Sequence, residues 1–415
     1  MTEPTPAPSN SPSSTAESSA AAHPPADVHP PADVHPPADE RRPGRIALIV
    51  RLIGALAAFV VATVIGVYAV GAFGEKPNPE LGYSVSGANS FALLLAIAMI
   101  AAFAVYALLE YRQTGRLASI SSQFDTRTIV LMPIAIAFNI ILGQAVGTAL
   151  KIPIYLDSIG TILVGALAGP IPGALTGFLA NLLWTYVVPP PFHSDISGAF
   201  AIVAAVIGLL AGTFARLGWL RPRPNRSDAQ LAIGGAIAIA IIFVLGYLAY
   251  TGYLKVFQGT SLTPASDNPV FLALAWAGLA LIVLTVAGLL WLLFRGRDLT
   301  VTYVVVAGVI TGIVAAAISA PISANVFGGV TGAGTDFLVA AFRQGGADIQ
   351  AATLGQGLIS DPIDKVTTFF VVYLILKAMA RRTKARFPQG ERLVEPPPAM
   401  EPASATIEPA SGATA

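Results

Sequence analysis

The run from Ser158 to Val188 holds 31 residues without a charged side chain and is interrupted once, by Gly169-Pro-Ile-Pro-Gly173. An upright membrane helix needs about 20 apolar residues, so this run is too long for one crossing, and its break falls near the middle. It reads as two short membrane helices joined by a tight hairpin. Each arm would have roughly 12 to 16 residues, or about 18 to 24 Å at the rise of an α-helix. Arms that short require neighbours around them or thinned lipid. Glycines at 160, 165, 169, 173 and 177 permit the close backbone approach by which membrane helices pack.

The rest of the chain agrees with a membrane setting. Hydrophobic residues make up 54% and charged residues 11%, and the mean hydropathy is +0.70. A soluble domain carries about a quarter charged residues, so an all-α polytopic membrane protein is expected. A net charge of +1 gives no reason to expect a nucleic-acid partner. With no cysteine, disulfides, thiolate metal sites and a cysteine nucleophile are excluded. No metal site, cofactor or catalytic residue is expected, and no Walker A, kinase or zinc-hydrolase motif is present. The chain does not read as an enzyme.

Both ends read as disordered cytoplasmic tails. Residues 1–44 contain three copies of His-Pro-Pro-Ala-Asp, beginning at His23, His29 and His35, a composition that favours extended polyproline II and cannot bury a core. Residues 387–415 share the Ala, Pro and Ser bias. Arg41-Arg42 reads as part of a basic cluster that holds that end inside.

Ten apolar spans fit between the tails, near 46–73, 90–110, 128–150, 158–169, 173–188, 195–217, 230–254, 270–294, 301–323 and 363–380. With ten crossings and both termini cytoplasmic, inner segments hold 19 of the 24 Lys and Arg; the outer five are Lys76, Lys151, Lys255, Arg343 and Lys365. Treating 158–188 as one crossing leaves 10 inside and 14 outside. The positive-inside rule selects the hairpin and a cell-membrane protein with Gly169 on the cytoplasmic side. No Asp, Glu, Lys, Arg or His falls in the middle of these spans, which argues against ion coupling within the chain.

Several of these segments, taken in order, resemble a known family. Ala135-Ile-Ala-Phe-Asn-Ile-Ile-Leu-Gly143, Tyr155-Leu-Asp-Ser-Ile-Gly-Thr161, Gly169-Pro-Ile-Pro-Gly-Ala-Leu-Thr-Gly177 and Asn181-Leu-Leu resemble the first three helices of the substrate-capture (S) component of energy-coupling factor (ECF) transporters. Gly328-Gly-Val-Thr-Gly-Ala-Gly-Thr-Asp336 and Asp361-Pro-Ile-Asp-Lys365 resemble the family's last outer loop and sixth helix. The resemblance covers 128–218 and 301–382, and divides the core into four helices over 128–218 and the last two, with a long outer loop, over 301–386. It leaves 45–127 and 219–300 as additional helix pairs, and the choice between 230–254 and 301–323 as fifth core helix goes to the latter, because the Gly328 loop follows it.

The resemblance implies a subunit that captures a vitamin or similar small nutrient at its outer face. A transmembrane coupling subunit and ATPase subunits would then drive delivery across the lipid bilayer. It implies substrate contacts from Tyr155, Asp157, Asn181, Trp184, Tyr186, Asn325, Asp336, Asp361, Asp364 and Lys365, with His193, Asp195 and Arg343 nearby. It also implies partner docking on a small-residue ladder of the family's first helix, here Ala135, Asn139, Gly143 and Gly147. Simpler roles compete with these. Asp157 and Asp361 stand where helix N-caps belong, Trp184 and Tyr186 suit an interfacial aromatic belt, Asn139 and Asn181 suit helix-to-helix hydrogen bonds, and Asp364 and Lys365 can pair with each other. The stretch 333–349 reads as an interfacial helix over the pocket. A membrane sensor or accessory protein of the same fold, or a stand-alone permease, remain alternatives.

Overall fold

The computed structural model describes residues 45–70, 84–145, 154–190, 192–224, 226–257 and 269–394. The expected tail 1–44, Gly147 and Lys151 lie outside them. The described chain is all helix and loop, with no strand among its residues. Its helices are α1 (Arg45–Val70), α2 (Val85–Thr114), α3 (Ala118–Ser121), α4 (Thr126–Leu142), α5 (Ile159–Ala168), α6 (Pro170–Tyr186), α7 (Ala201–Arg216), α8 (Asp228–Phe257), α9 (Pro269–Phe294), α10 (Thr300–Phe327), α11 (Asp336–Gln344), α12 (Ile349–Ala378) and α13 (Arg381–Ala385).

Over its described residues, each of the ten expected spans falls on a helix. Among the described residues, six helical stretches are long and apolar enough to cross a membrane: Ile46–Ala69, Val85–Thr114, Thr126–Ala145, Ser197–Arg216, Asp228–Leu248 and Thr300–Phe327. The other four differ for identifiable reasons. α5 has 10 residues, about 15 Å of helix, and α6 has 17. The described apolar part of α9 is Val283–Phe294, and α12 carries Asp361, Asp364 and Lys365 within its length.

The hairpin forms at the expected break. Gly169 has φ 138°, a value L side chains rarely adopt, so the chain can reverse there, and Pro170 supplies the preset φ of the first residue of α6. All of α5 except Leu163 is buried, which is how a helix this short is sheltered. It packs on α4, α6 and α7. A Cβ on Gly208 of α7 would lie 2.2 Å from the backbone of Gly173, so backbone meets backbone where α6 and α7 cross. α10 and α12 form another intimate pair, with Gly312 directly against Pro362.

The extra pairs lie outside this core. α1 packs on α2 through a buried Arg51–Glu110 ion pair of 3.4 Å, and α2 reaches α7 and α10. α8 and α9 pack on α10 and α12.

Segments expected on the cytoplasmic side meet at one end. Ile171 N–H donates to Gln123 at 3.1 Å, and Gln389 donates to the carbonyls of Leu167 and Gly165, satisfying acceptors that the end of α5 leaves open. Arg127 reaches the carbonyl of Arg386, Arg221 that of Val394, and Arg392 that of Arg216. The disordered C-terminal tail expected from Phe387 onward is thus corrected for residues 387–394. These form a 3-10 turn over Gly390–Leu393 with Leu393 buried.

Candidate functional site

At the opposite end lies a cavity with about 150 Å³ open to the centres of water-sized molecules. Its walls come from the end of α4 (Gly143), the loop before α5 (Tyr155, Asp157, Ser158), α6 (Asn181, Trp184), the turn and helix at 194–207, α10 (Ala315, Ser319, Ser323), the loop at Thr331 and Ala333, and α12 (Gln356, Asp361, Lys365).

Asp364, fully buried, organises the floor. Its carboxylate accepts the backbone N–H groups of Tyr155 and Leu156, each at 2.9 Å, and the Lys365 ammonium at 2.6 Å. These bonds hold Leu156 at φ 53°, a left-handed conformation that costs a branched residue on the order of 1–3 kcal/mol. The Lys365 Nζ also donates to Ser158 at 2.9 Å and stands 3.7 Å from Asp157. Asp157 opens to the cavity with 31% of its side chain exposed. Burial pushes its carboxyl above the ordinary range, with Lys365 pulling the other way.

A hydrogen-bonded arch closes one side. Tyr155 OH lies 2.7 Å from the Thr335 hydroxyl and accepts from Gln356 at 3.2 Å, and Gln356 also donates to Ser360 at 2.7 Å. Burial, then the charge of Asp361, pushes the Tyr155 phenol up and keeps it neutral. The loop at 331–336 is tied by Asp336, which accepts from Thr331 and Gly332. α11 follows and packs Leu338, Phe337 and Phe342 against α12 and α8, so the helix expected over 333–349 forms at 336–344 beside the site.

The opposite wall is aromatic and apolar. Trp184 donates its indole N–H to the carbonyl of Phe192 at 2.7 Å, which fixes the ring over Gly143. Phe200, Val203, Ala204 and Ile207 continue the wall.

Six of the ten residues expected to contact substrate line this cavity: Tyr155, Asp157, Asn181, Trp184, Asp361 and Lys365. Four do not. Asp364 sits behind the floor with every acceptor role described above, Asp336 caps its own loop, Asn325 is exposed and bonded to Gln350, and Tyr186 is half-exposed and donates to the carbonyl of Asn89. His193 bonds Val188 and Asp195, a loop-fixing role, and Asp195 raises the imidazole pKa.

The N-cap expectations change. α12 begins at Ile349 behind an Asp348 cap, so Asp361 lies inside the helix. No side-chain cap precedes α5 at Ser158. Asn139 does that work from α4: its carbonyl oxygen accepts from Gly160 at 2.7 Å and its amide donates to Thr161 at 2.8 Å. The described part of the small-residue ladder, Ala135, Asn139 and Gly143, therefore faces inward. Ala135 and Asn139 are buried against α5, and Gly143 lies against Trp184 and Asp157. Continuous α12 starts before the expected span 363–380 and holds Asp361, Asp364 and Lys365 near its middle.

Gln356 and the wall residues of α7 and α10 were not expected. Residues 349–360 carry no charge, a signal of helix before Pro362. Ala315, Ser319 and Ser323 recur every four residues, a helical face. No family model, curated protein or solved structure matches the chain.

Proposed function

We propose that this protein is the substrate-capture subunit of an ECF-type uptake transporter, holding a small nutrient in the cavity above and passing it on with a transmembrane coupling subunit and ATPase subunits. One observation carries the reading. Every residue lining the cavity lies within 128–218 or 301–382, the two stretches that carry the resemblance, and neither extra helix pair contributes a wall. A mostly apolar pocket with a few convergent polar groups is the usual form of a small-molecule site.

The orientation has its own support. Segments rich in Lys and Arg meet around the Gly169 hairpin, whereas the cavity is lined from the other ends of α5 and α6, the second half of α10 and the first half and middle of α12. Ten crossings with both termini cytoplasmic account for that segregation and for 19 of 24 basic residues inside. The cavity would then face outward. Because the Ala135–Asn139–Gly143 face is occupied by α5 and Trp184, docking on the coupling subunit would use another surface or require α4 to move.

One observation favours a second reading. Buried carboxylates within α12 are the kind of group an ion-coupled permease uses, so a stand-alone permease is retained. The two separate cleanly in cells. Affinity purification from the native membrane is expected to bring down a transmembrane partner with ATPases, and uptake should stop when those ATPases are deleted. Uptake that persists without them would establish the permease instead.

A further inference from the structure

We propose that the molecule held in this cavity carries a cationic nitrogen group, seated between Asp157 and Asp361, on an apolar or aromatic body that lies against Trp184 and Phe200. The inference rests on the capture reading and adds the chemical class of the ligand.

The sign of the charge follows from how Lys365 is used. An ammonium has three donors. Two are spent on Asp364 and Ser158, at 2.6 and 2.9 Å, and Asp157 stands 3.7 Å away on the third side. This lysine already faces two carboxylates and has little left for an anionic ligand. Asp361 is different. One of its oxygens accepts from Ser360 at 3.2 Å, and its other oxygen has no hydrogen-bond partner among the described residues, although the residue is 7% exposed and lines the cavity. Three acidic side chains, Asp157, Asp361 and Asp364, face one ammonium at the floor, and no Arg or other Lys lines the cavity. A carboxylate taken from water without a partner is costly, and a bound cation removes that cost.

A second observation points to a ligand independently. Asn181, across the cavity on α6, is 7% exposed, and its side chain has no hydrogen-bond partner among the described residues. A buried amide ordinarily has one. Ser323, a residue also 7% exposed and also lining the cavity, has a hydroxyl likewise unpartnered among the described residues. The site thus offers an anionic floor, an aromatic wall with Trp184, and hydrogen-bonding groups of both kinds away from the floor. A cavity of about 150 Å³ open to the centres of water-sized molecules suits a small ligand, such as one ring bearing a short amine arm.

Three probes of matched size separate the charge classes: 2-phenylethylamine, 2-phenylethanol and phenylacetate, titrated at pH 7 into the purified full-length chain while its tryptophan fluorescence is followed. The amine is expected to bind at least about tenfold more tightly than the alcohol, the scale of one charge-assisted hydrogen bond, with phenylacetate weakest. Asp361→Asn is expected to abolish the preference for the amine over the alcohol. Should that variant fail to fold, Asp157→Asn gives the same readout. Equal or tighter binding of the alcohol or the acid overturns the proposal, as does binding by none of the three or an unchanged preference in both variants. If denatured protein releases a neutral or anionic solute, the cationic class falls and the capture reading stands. If it releases nothing, and no solute accumulates in cells, the capture reading falls as well.

Discussion

Replacing Asp364 by Asn tests the floor of the site without touching its lining. The substitution keeps one carbonyl oxygen for the N–H groups of Tyr155 and Leu156 but turns an amide N–H₂ toward Lys365, whose Nζ stands 2.6 Å from the present carboxylate. Lys365 would retain Ser158 and the more distant Asp157. Breaking a buried ion pair on one side costs about 3–5 kcal/mol. That loss belongs mainly to Asp364 and Lys365, since both amide bonds can survive. Asp364→Ala removes those as well, and so frees Leu156 from the left-handed conformation they hold. In lipid nanodiscs, amide exchange at Tyr155 and Leu156 should accelerate about 100-fold or more in Asp364→Ala, as a loss of roughly 3 kcal/mol implies. Asp364→Asn should lower the stability in reversible unfolding by a similar amount with a smaller local effect on exchange. A stability within about 1 kcal/mol of wild type for both variants would refute the account, because that is the scale of an exposed pair rather than a buried one.

Other outcomes follow from close contacts. Gly143→Leu places a side chain where a Cβ alone would meet the Trp184 ring at 2.4 Å, so the cavity should fill, the tryptophan signal should change and bound ligand should be lost; wild-type binding by this variant would show that the ring is not fixed there. Gly208→Ala forces apart the backbones of α6 and α7 and should cost about 1–3 kcal/mol in unfolding experiments, whereas an unchanged melting temperature would mean that the two helices do not cross at Gly173. The His193–Asp195 bond raises the histidine pKa, so its small stabilisation of the 188–195 loop should be complete below pH about 6.5 and fade as pH rises through the folded value. Asp195→Asn should flatten that dependence, and an NMR titration of His193 unaffected by the substitution would contradict it.

The hairpin was legible because two independent signals met: an uncharged run too long for one helix, and a Gly-Pro break whose placement the basic residues also favoured. The site was legible in part. Asn181 and Trp184, three apart, share a helix face, as do Asp361 and Lys365, four apart, and all four line the cavity. Tyr186 is two residues beyond Trp184 and so turns away from it. The wall residues of α7 and α10 are neutral and carry no motif, so nothing in their sequence marks them as part of a site. Pro362 misled in another way: it reads as a helix start, yet α12 runs through it where Gly312 of α10 packs against the ring residue, and this hid Gln356 and the buried position of Asp361. Asn139 capping α5 from a neighbouring helix depends on a tertiary contact and left no local signature.

The central claim is that the cavity holds a small molecule in the native membrane. Full-length protein and its Gly143→Leu variant would be purified from the native host, denatured, and the released solutes quantified by mass spectrometry. The account predicts one small cationic compound in near-equal ratio to the wild-type protein and none with the variant. Release of nothing from wild type, or of the same compound from both, would contradict it.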